Sequence, residues 1–224
     1  MKIALSFFIL FLCLNFNLQS QSFIGIRGGV NIPDVNFSSF TGSRGPVITN
    51  FRAAYFLAPT YGVTYRHMQS DKIGVQADLN YTTKGWGQNT LDFTNTFITR
   101  IQYLELPIYL HWQFIGSKNF KVFVNAGVYV GWALSANQTI ANDIDLIQNQ
   151  IDYSLEDDNR GDFGIAAGLG VSYDFSIFIL QLDGSFKSGF ANILPVNHFT
   201  KENPNISTNQ VPSAQISLLF PISK

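Results

Sequence analysis

The sequence predicts an all-β fold, an eight-stranded antiparallel up-and-down barrel that crosses a membrane with its strands. Three observations predict it. Eight segments alternate apolar and polar residues with a period of two. The connections between these segments alternate between long and short. Finally, the apolar faces carry aromatic residues at both ends and aliphatic residues in the middle, which suits the two interfaces of a lipid bilayer.

The first twenty residues are expected to be a signal peptide that is removed on export. Lys2 gives a positive start, residues 3–14 are nearly all apolar, and a polar stretch leads to the small Ser20. This order is that of a secretory signal peptide, and the apolar run is too short for a membrane-spanning helix. We therefore predict cleavage between Ser20 and Gln21, which leaves one barrel domain over residues 21–224.

Composition narrows the class of protein further. Fourteen basic and fifteen acidic residues nearly balance, which argues against a nucleic-acid partner. Mean hydropathy is only +0.11, and no apolar run after residue 20 is long enough for a membrane helix. Because Cys13 is the only cysteine and lies in the signal peptide, the mature domain is expected to have neither disulfides nor a cysteine metal site.

The eight strands follow one another along the chain. The first two, near 23–32 and 53–66, alternate least regularly. The other six have clear apolar faces, which run from Ile73 to Tyr81, Leu104 to Phe114, Phe120 to Leu134, Phe163 to Phe175, Phe178 to Phe186 and Ala214 to Phe220. Most are longer than the average strand of a soluble protein, and they match the roughly 9 to 11 residues that a tilted membrane strand needs.

The connections left between these strands are 33–52, 67–71, 84–97, 115–118, 136–160, 175–177 and 190–210. In bacterial outer-membrane barrels the short turns face the periplasm and the long loops face outward. We therefore expect loops 33–52, 84–97, 136–160 and 190–210 outside the cell and both chain termini in the periplasm.

Outward aromatic residues should form two girdles at the lipid–water interfaces. The periplasmic girdle would hold Tyr65, Trp112, Phe114, Phe120 and Tyr173, and the external girdle Tyr81, Trp132 and Phe163. The competing interpretation is a secreted soluble barrel or β-sandwich with its apolar face inside. The interior of an eight-stranded barrel is narrow, and the polar faces here are rich in glycine, so we expect the polar face inside.

The lumen is expected to hold a plug of paired charges. Inward positions carry the bases Arg27, Arg66, Lys121 and Lys187 and the acids Asp78, Glu105, Asp162, Asp174 and Asp183. Buried charges need partners, and eight strands leave little room for water. We expect Arg27, Asp78, Glu105 and Asp183 near the middle of the bilayer, with Glu105 bound by Arg27 or Lys187. A selective pore or a proton-handling site is the alternative.

No enzyme, cofactor or metal site is expected. The histidines are scattered, with His67 in a turn, His111 inside the barrel and His198 in the last external loop, and no serine is obviously placed beside one. The loop 136–160 is acidic, with Asp143, Asp145, Asp152, Glu156, Asp157 and Asp158. Their spacing fits no calcium-binding loop, so a solvated loop is favoured over a cation site or a surface for a basic partner.

Four segments resemble the PorT-like outer-membrane β-barrel family of the Bacteroidetes. They are residues 103–110 (YLELPIYL), residues 124–131 (VNAGVYVG), Asp162-Phe163-Gly164 with Gly168-Leu169-Gly170-Val171, and residues 189–193 (GFANI). The resemblance covers most of residues 23–220, although Pro221-Ile222-Ser223-Lys224 follow Phe220, where such chains often end on an aromatic residue.

The resemblance implies an outer-membrane location and a porin-family label, but no reaction. We expect a structural, anchoring or surface-contact role, with the lipid bilayer as partner and a possible protein partner at the external loops. A narrow porin, or an accessory of a secretion or gliding machinery, stays open as an alternative.

Overall fold

The computed structural model describes residues 21–38, 52–89, 96–141, 153–195 and 206–223. The expected signal peptide, residues 1–20, lies outside these ranges. No helix in the described part of the chain is long and apolar enough to cross a membrane. The described residues form ten strands: β1 (Gln21–Asn31), β2 (Asp34–Ser38), β3 (Arg52–Ala53), β4 (Ala58–Met68), β5 (Ile73–Asn89), β6 (Thr96–Gly116), β7 (Phe120–Ala141), β8 (Gly161–Asp174), β9 (Ile179–Gly189) and β10 (Ile206–Ser223).

Eight of these strands close into a barrel. The sheet runs in the order β1, β4, β5, β6, β7, β8, β9, β10, and β10 pairs again with β1. All neighbours in this ring are antiparallel. The two remaining strands are short: β2 pairs with the start of β10, and β3 with the end of β5. The predicted eight-stranded antiparallel up-and-down barrel is therefore confirmed.

The apolar faces of the strands point out of the barrel. Along β6, Leu104, Leu106, Ile108 and Leu110 are exposed to the barrel's surroundings, whereas Tyr103 and Glu105 between and beside them are fully buried inside. Because successive side chains of a strand point to opposite faces, this division holds along β6 from Phe97 to Trp112.

The eight girdle residues lie on this outer face. Six of them are between 41% and 56% exposed: Tyr65, Trp112, Phe120, Trp132, Phe163 and Tyr173. The other two are half-buried against aromatic neighbours. Tyr81 stacks on Tyr61 with ring centres 5.4 Å apart, and Phe114 lies 5.5 Å from Trp112.

The strands extend further outward than the sequence indicated. β5 continues to Asn89, β6 begins at Thr96, β7 continues to Ala141 and β10 begins at Ile206, so each runs into an expected loop. The second barrel strand begins at Ala58 instead of residue 53. Gly85 and Gly87 interrupt the alternation of polar and apolar residues in β5, so the sequence pattern does not show where this strand ends. Lys84 to Asn89 nevertheless pair with β6.

Side chains cap the short turns between strands. These turns lie at the end of the barrel that is expected to face the periplasm, here called the periplasmic end, and the opposite end is called the external end. Between β4 and β5, Ser70 Oγ accepts a hydrogen bond from the Ile73 amide at 3.2 Å. Between β8 and β9, Asp174 Oδ1 accepts one from the Ser176 amide at 2.7 Å, and Ser176 adopts a positive φ of 72°. Such local bonds are typical of tight turns.

Candidate functional site

The lumen is the candidate site, because the charged residues that the barrel buries lie there. Among the described residues, four bases and four acids are less than 9% exposed: Arg27, Arg66, Lys84 and Lys187, and Asp78, Glu105, Asp162 and Asp183. The formal charges of this set cancel. These side chains separate into two groups along the barrel axis, each neutral in itself.

The first group is a closed ring of six side chains, here named the arginine ring: Arg27, Arg66, Gln76, Asp78, Gln181 and Asp183. Arg66 donates from Nε and Nη2 to Gln76 Oε1 at 3.0 and 2.6 Å, and from Nη2 to Gln181 Oε1. The side-chain amide of each glutamine donates a hydrogen bond to the aspartate two residues further along the strand. Gln76 Nε2 donates to Asp78 Oδ1 at 3.0 Å, and Gln181 Nε2 to Asp183 Oδ1 at 2.8 Å.

Arg27 closes the arginine ring from the other side. Its guanidinium pairs with Asp78 and, at 3.4 Å, with Asp183. Two arginines are therefore joined by two identical Gln–Asp arms, one from β5 and one from β9. The arms can form because residues two apart on a strand share a face, so the Gln-x-Asp pattern puts amide and carboxylate side by side in the lumen.

The second group lies nearer the external end and is named the lysine cluster: Lys84, Glu105, Asp162 and Lys187. Glu105 forms ion pairs with Lys187 and with Lys84, the latter at 2.5 Å. Lys84 also contacts Asp162 at 2.8 Å. The hydroxyl of Tyr129 at 3.2 Å and the side-chain amide of Asn209 at 3.0 Å donate to the same oxygen of Asp162.

An apolar lid covers the external end of the lysine cluster. It consists of Val35, Trp86, Ile101, Tyr103, Ala133, Tyr153, Ile193 and Leu194. Tyr153 comes from the loop after β7, and its hydroxyl donates to the Asn159 carbonyl at 3.0 Å. Burial, and then the nearby Asp158 carboxylate, raise the pKa of the Tyr153 phenol to about 12, so the lid presents a neutral ring.

A cavity large enough for a small molecule remains at the opposite, periplasmic end, here named the vestibule. Its volume is about 530 Å³, and Arg66 is one of the residues that line it. Near Arg66 lies Phe123, whose ring centre is 5.9 Å from the guanidinium carbon and 4.7 Å from the ring of His111. Gly170 makes room for this ring, since an added Cβ would lie 2.3 Å from Phe123 Cζ. The lumen is thus filled from Phe123 outward and open below it.

Most of the lumen residues expected from the sequence belong to one of the two charged groups. Arg27, Asp78 and Asp183 belong to the arginine ring, whereas Glu105 and Lys187 pair in the lysine cluster. Arg27 therefore does not bind Glu105, whose second partner is Lys84. Lys84 was missed, because the sequence placed it at the start of an external loop.

Three expected members of the plug lie elsewhere or bind otherwise. Arg66 is buried but holds amide oxygens and no carboxylate among the described residues. Lys121 is half-buried in the wall of the vestibule and forms no ion pair with another described residue. Asp174 is exposed and caps a turn. Lys121 lies near the start of β7 and Asp174 at the end of β8, where the lumen opens into the vestibule.

The histidines do not gather into a site. His111 is buried, and its Nδ1 lies 2.7 Å from Asn125 Oδ1. His67 lies at the periplasmic rim with Nδ1 2.9 Å from Ser22 Oγ, a serine–histidine contact that the sequence did not indicate. His198 lies outside the described residues.

Within the described ranges, no three His, Cys, Asp or Glu side chains are grouped to hold a metal ion. Asp143, Asp145 and Asp152 of the acidic loop lie outside those ranges. Of the rest, Asp158 caps the loop, because its Oδ2 accepts from the Ser154 amide at 2.7 Å.

Comparison with known proteins places the chain among outer-membrane barrels. Residues 19–194 match the family model described as Outer membrane protein beta-barrel domain. No protein of curated function matches the sequence.

Several solved structures are similar. OprG from Pseudomonas aeruginosa is 16% identical with a TM-score of 0.49, over 91% of this chain and 97% of that one. Ail, the attachment invasion locus protein of Yersinia pestis, is 10% identical with a TM-score of 0.41, over 89% and 99%. Neisserial surface protein A is 11% identical with a TM-score of 0.42, over 87% and 96%. Sequence identities and TM-scores this low do not indicate a shared role.

The family match covers well over half of the chain and agrees with the closed ring of eight strands. The protein is thus a small barrel of the bacterial outer membrane, and its apolar outer face meets the lipid bilayer. The chain belongs to the outer membrane protein beta-barrel domain family.

Proposed function

We propose that the protein is a closed, non-enzymatic barrel with a structural, anchoring or surface-contact role. The observation that carries this proposal is the filling of the lumen by the arginine ring, the lysine cluster and the apolar lid, stacked along one axis. A solute that passed through would have to separate each of these layers in turn.

The energetics favour a lumen that stays shut. Each charged group is neutral as a whole, so neither attracts a counter-ion strongly. Separating one buried pair leaves two uncompensated charges at low dielectric constant, which costs several kcal/mol for each ion. A conducting state would require several of these buried ion pairs to separate at the same time. Its population would be small unless a ligand or partner stabilised it.

The more specific assignment, to PorT-like proteins of the Bacteroidetes with cleavage after Ser20, is also proposed. Its support is the resemblance of residues 103–110, in which Glu105 is the residue that both lysines of the lysine cluster bind. The glutamate of this motif would then serve to hold the plug together.

The surface that a protein partner would meet is the external end of the barrel. There Tyr153 and Leu194 pack into the lid, and Asn159 ties the loop after β7 to Asn192 through a 2.8 Å hydrogen bond. The exposed side chains of Glu156 and Asp157 give this surface an acidic character. A basic surface on a neighbouring protein would complement it.

Single-channel recording in planar lipid bilayers tests the proposal. The wild-type protein should give no steady unit current over a wide voltage range. A reproducible unit current from the wild-type barrel would overturn the closed state and support the narrow porin. Purification from mild detergent of a complex with one large partner would instead favour an accessory role in a secretion or gliding machinery.

A further inference from the structure

The vestibule has the features of a small-molecule site and no role in the closed barrel. Its volume of about 530 Å³ falls within the usual range for ligand pockets. Its mouth is formed by the exposed turn residues Ser70, Lys118, Asn119 and Ser176. The lining side chains belong to the inside of the barrel, so a ligand would arrive from the periplasm and not from the lipid.

Arg66 at the inner end of the vestibule has an unused donor. Its side chain is buried, its Nε and Nη2 bind Gln76 and Gln181, and its Nη1 is buried without any hydrogen-bond partner. A guanidinium stays charged in proteins, and a buried donor without an acceptor is costly. An acceptor that entered the vestibule would remove this cost.

The charges around the vestibule favour a negative acceptor. The carboxylates of the arginine ring lie on the Arg27 side, and glutamines separate them from Arg66. The ring is therefore neutral but positive at its periplasmic end. Lys118 and Lys121 add positive charge to the wall, against the acids Asp71 and Asp174, and one of these, Asp174, already binds the Ser176 amide.

One wall of the vestibule is apolar. Phe23, Met68 and Ile179 line it and pack against the buried Leu219. The opposite side offers the hydroxyl and amide groups of Ser172 and Gln113. A pocket with a charged floor, one apolar wall and one polar wall suits a small organic anion better than a bare metal ion or a neutral sugar.

We propose that the vestibule binds a small anion from the periplasm, whose carboxylate or phosphate group accepts a hydrogen bond from Arg66 Nη1 while its body lies between Phe23 and Lys121. Such binding goes beyond the closed-barrel role, since it needs no passage through the lumen. It would also stabilise the folded barrel, because only the folded state forms the vestibule.

The test is a titration of the intact protein with two probes, inorganic phosphate and benzoate, followed by NMR of the backbone amides. The protein is held in maltoside micelles and HEPES buffer, so that neither detergent nor buffer supplies a phosphate group. We expect saturable shifts confined to residues around the vestibule. Shifts that do not saturate, or that appear mainly at the external end, would overturn the proposal.

Three variants give the titration its controls. Arg66→Gln should weaken binding at least about tenfold, as expected for a hydrogen bond to a charged group. Lys121→Gln should weaken it about threefold. Lys72→Gln removes an exposed lysine from the same end of the barrel but outside the vestibule, and should leave the Kd unchanged.

If Arg66→Gln does not fold, the comparison of Lys121→Gln with Lys72→Gln decides. If the two substitutions weaken binding equally, the anion is held only by the general positive charge of the periplasmic rim, and the proposal fails.

Discussion

Glu105 is the residue whose loss should disturb the lumen most. It is fully buried and forms ion pairs with both Lys84 and Lys187. In Glu105→Gln, Lys84 keeps Asp162 at 2.8 Å, but Lys187 loses the one carboxylate that pairs with it among the described residues. Leaving one buried ammonium group without its partner should cost about 3–5 kcal/mol of unfolding free energy.

The same reasoning predicts that a second substitution recovers the loss. Lys187→Met removes the ammonium group that Glu105→Gln leaves unpaired, so the lysine cluster becomes neutral again, with Lys84 still held by Asp162. The double variant should therefore be more stable than Glu105→Gln alone. The two single losses should exceed the double loss by more than about 2 kcal/mol.

Equilibrium unfolding in urea, with the barrel in detergent micelles, measures these differences. Tryptophan fluorescence is a suitable signal, because Trp112 and Trp132 lie on the lipid-facing surface and Trp86 in the lid. The reasoning is refuted if Glu105→Gln stays within about 0.5 kcal/mol of the wild type, or if the double variant loses as much as the two single variants combined.

Two further predictions use the same assay. Gly170→Ala should cost about 1–3 kcal/mol, because the new Cβ would overlap the Phe123 ring, whereas Gly161→Ala, whose nearest new contact is Trp132 at 3.8 Å, should change little. Equal losses in these two glycine variants would contradict the packing argument. Val128→Arg, on the lipid-facing middle of β7, should cost about 2–4 kcal/mol, and Gln138→Arg, near the external end of the same strand, much less. A small loss in Val128→Arg would show that this face does not meet hydrocarbon.

The fold could be predicted from the sequence because the membrane constrains it so strongly. Within the bilayer, outward residues must be apolar whereas inward residues can be polar, so alternation such as that from Leu104 to Phe114 assigns both faces at once. Strand ends were predicted less well, since outside the bilayer the outward face no longer needs to be apolar. For that reason Lys84 appeared to begin a loop, while β5 in fact carries it into the lumen.

The pairing inside the lumen could be predicted only in part. Charges identified most members of the plug, but charge does not mark glutamine, and Gln76 and Gln181 are the residues that join Arg66 to the acids. The repeated Gln-x-Asp pattern of β5 and β9 was the available signal. The lid depends on contacts between residues far apart in the chain, such as Val35 and Leu194, which no local pattern reveals.

The position of β9 in both charged groups bears on how the barrel finds its register during assembly. A slip of β9 by two residues would leave every side chain on its own side of the sheet, and lipid would still meet leucine and phenylalanine, so the outer face cannot detect the error. The slip would move Gln181, Asp183 and Lys187 by about 7 Å, away from Arg66, Arg27 and Glu105. Those partners stand on β4, β1 and β6, none of which neighbours β9 in the sheet. Only the correct register of β9 therefore forms the lumen contacts with three strands across the barrel. The backbone hydrogen bonds to its two neighbouring strands would form in either register and cannot select the correct one.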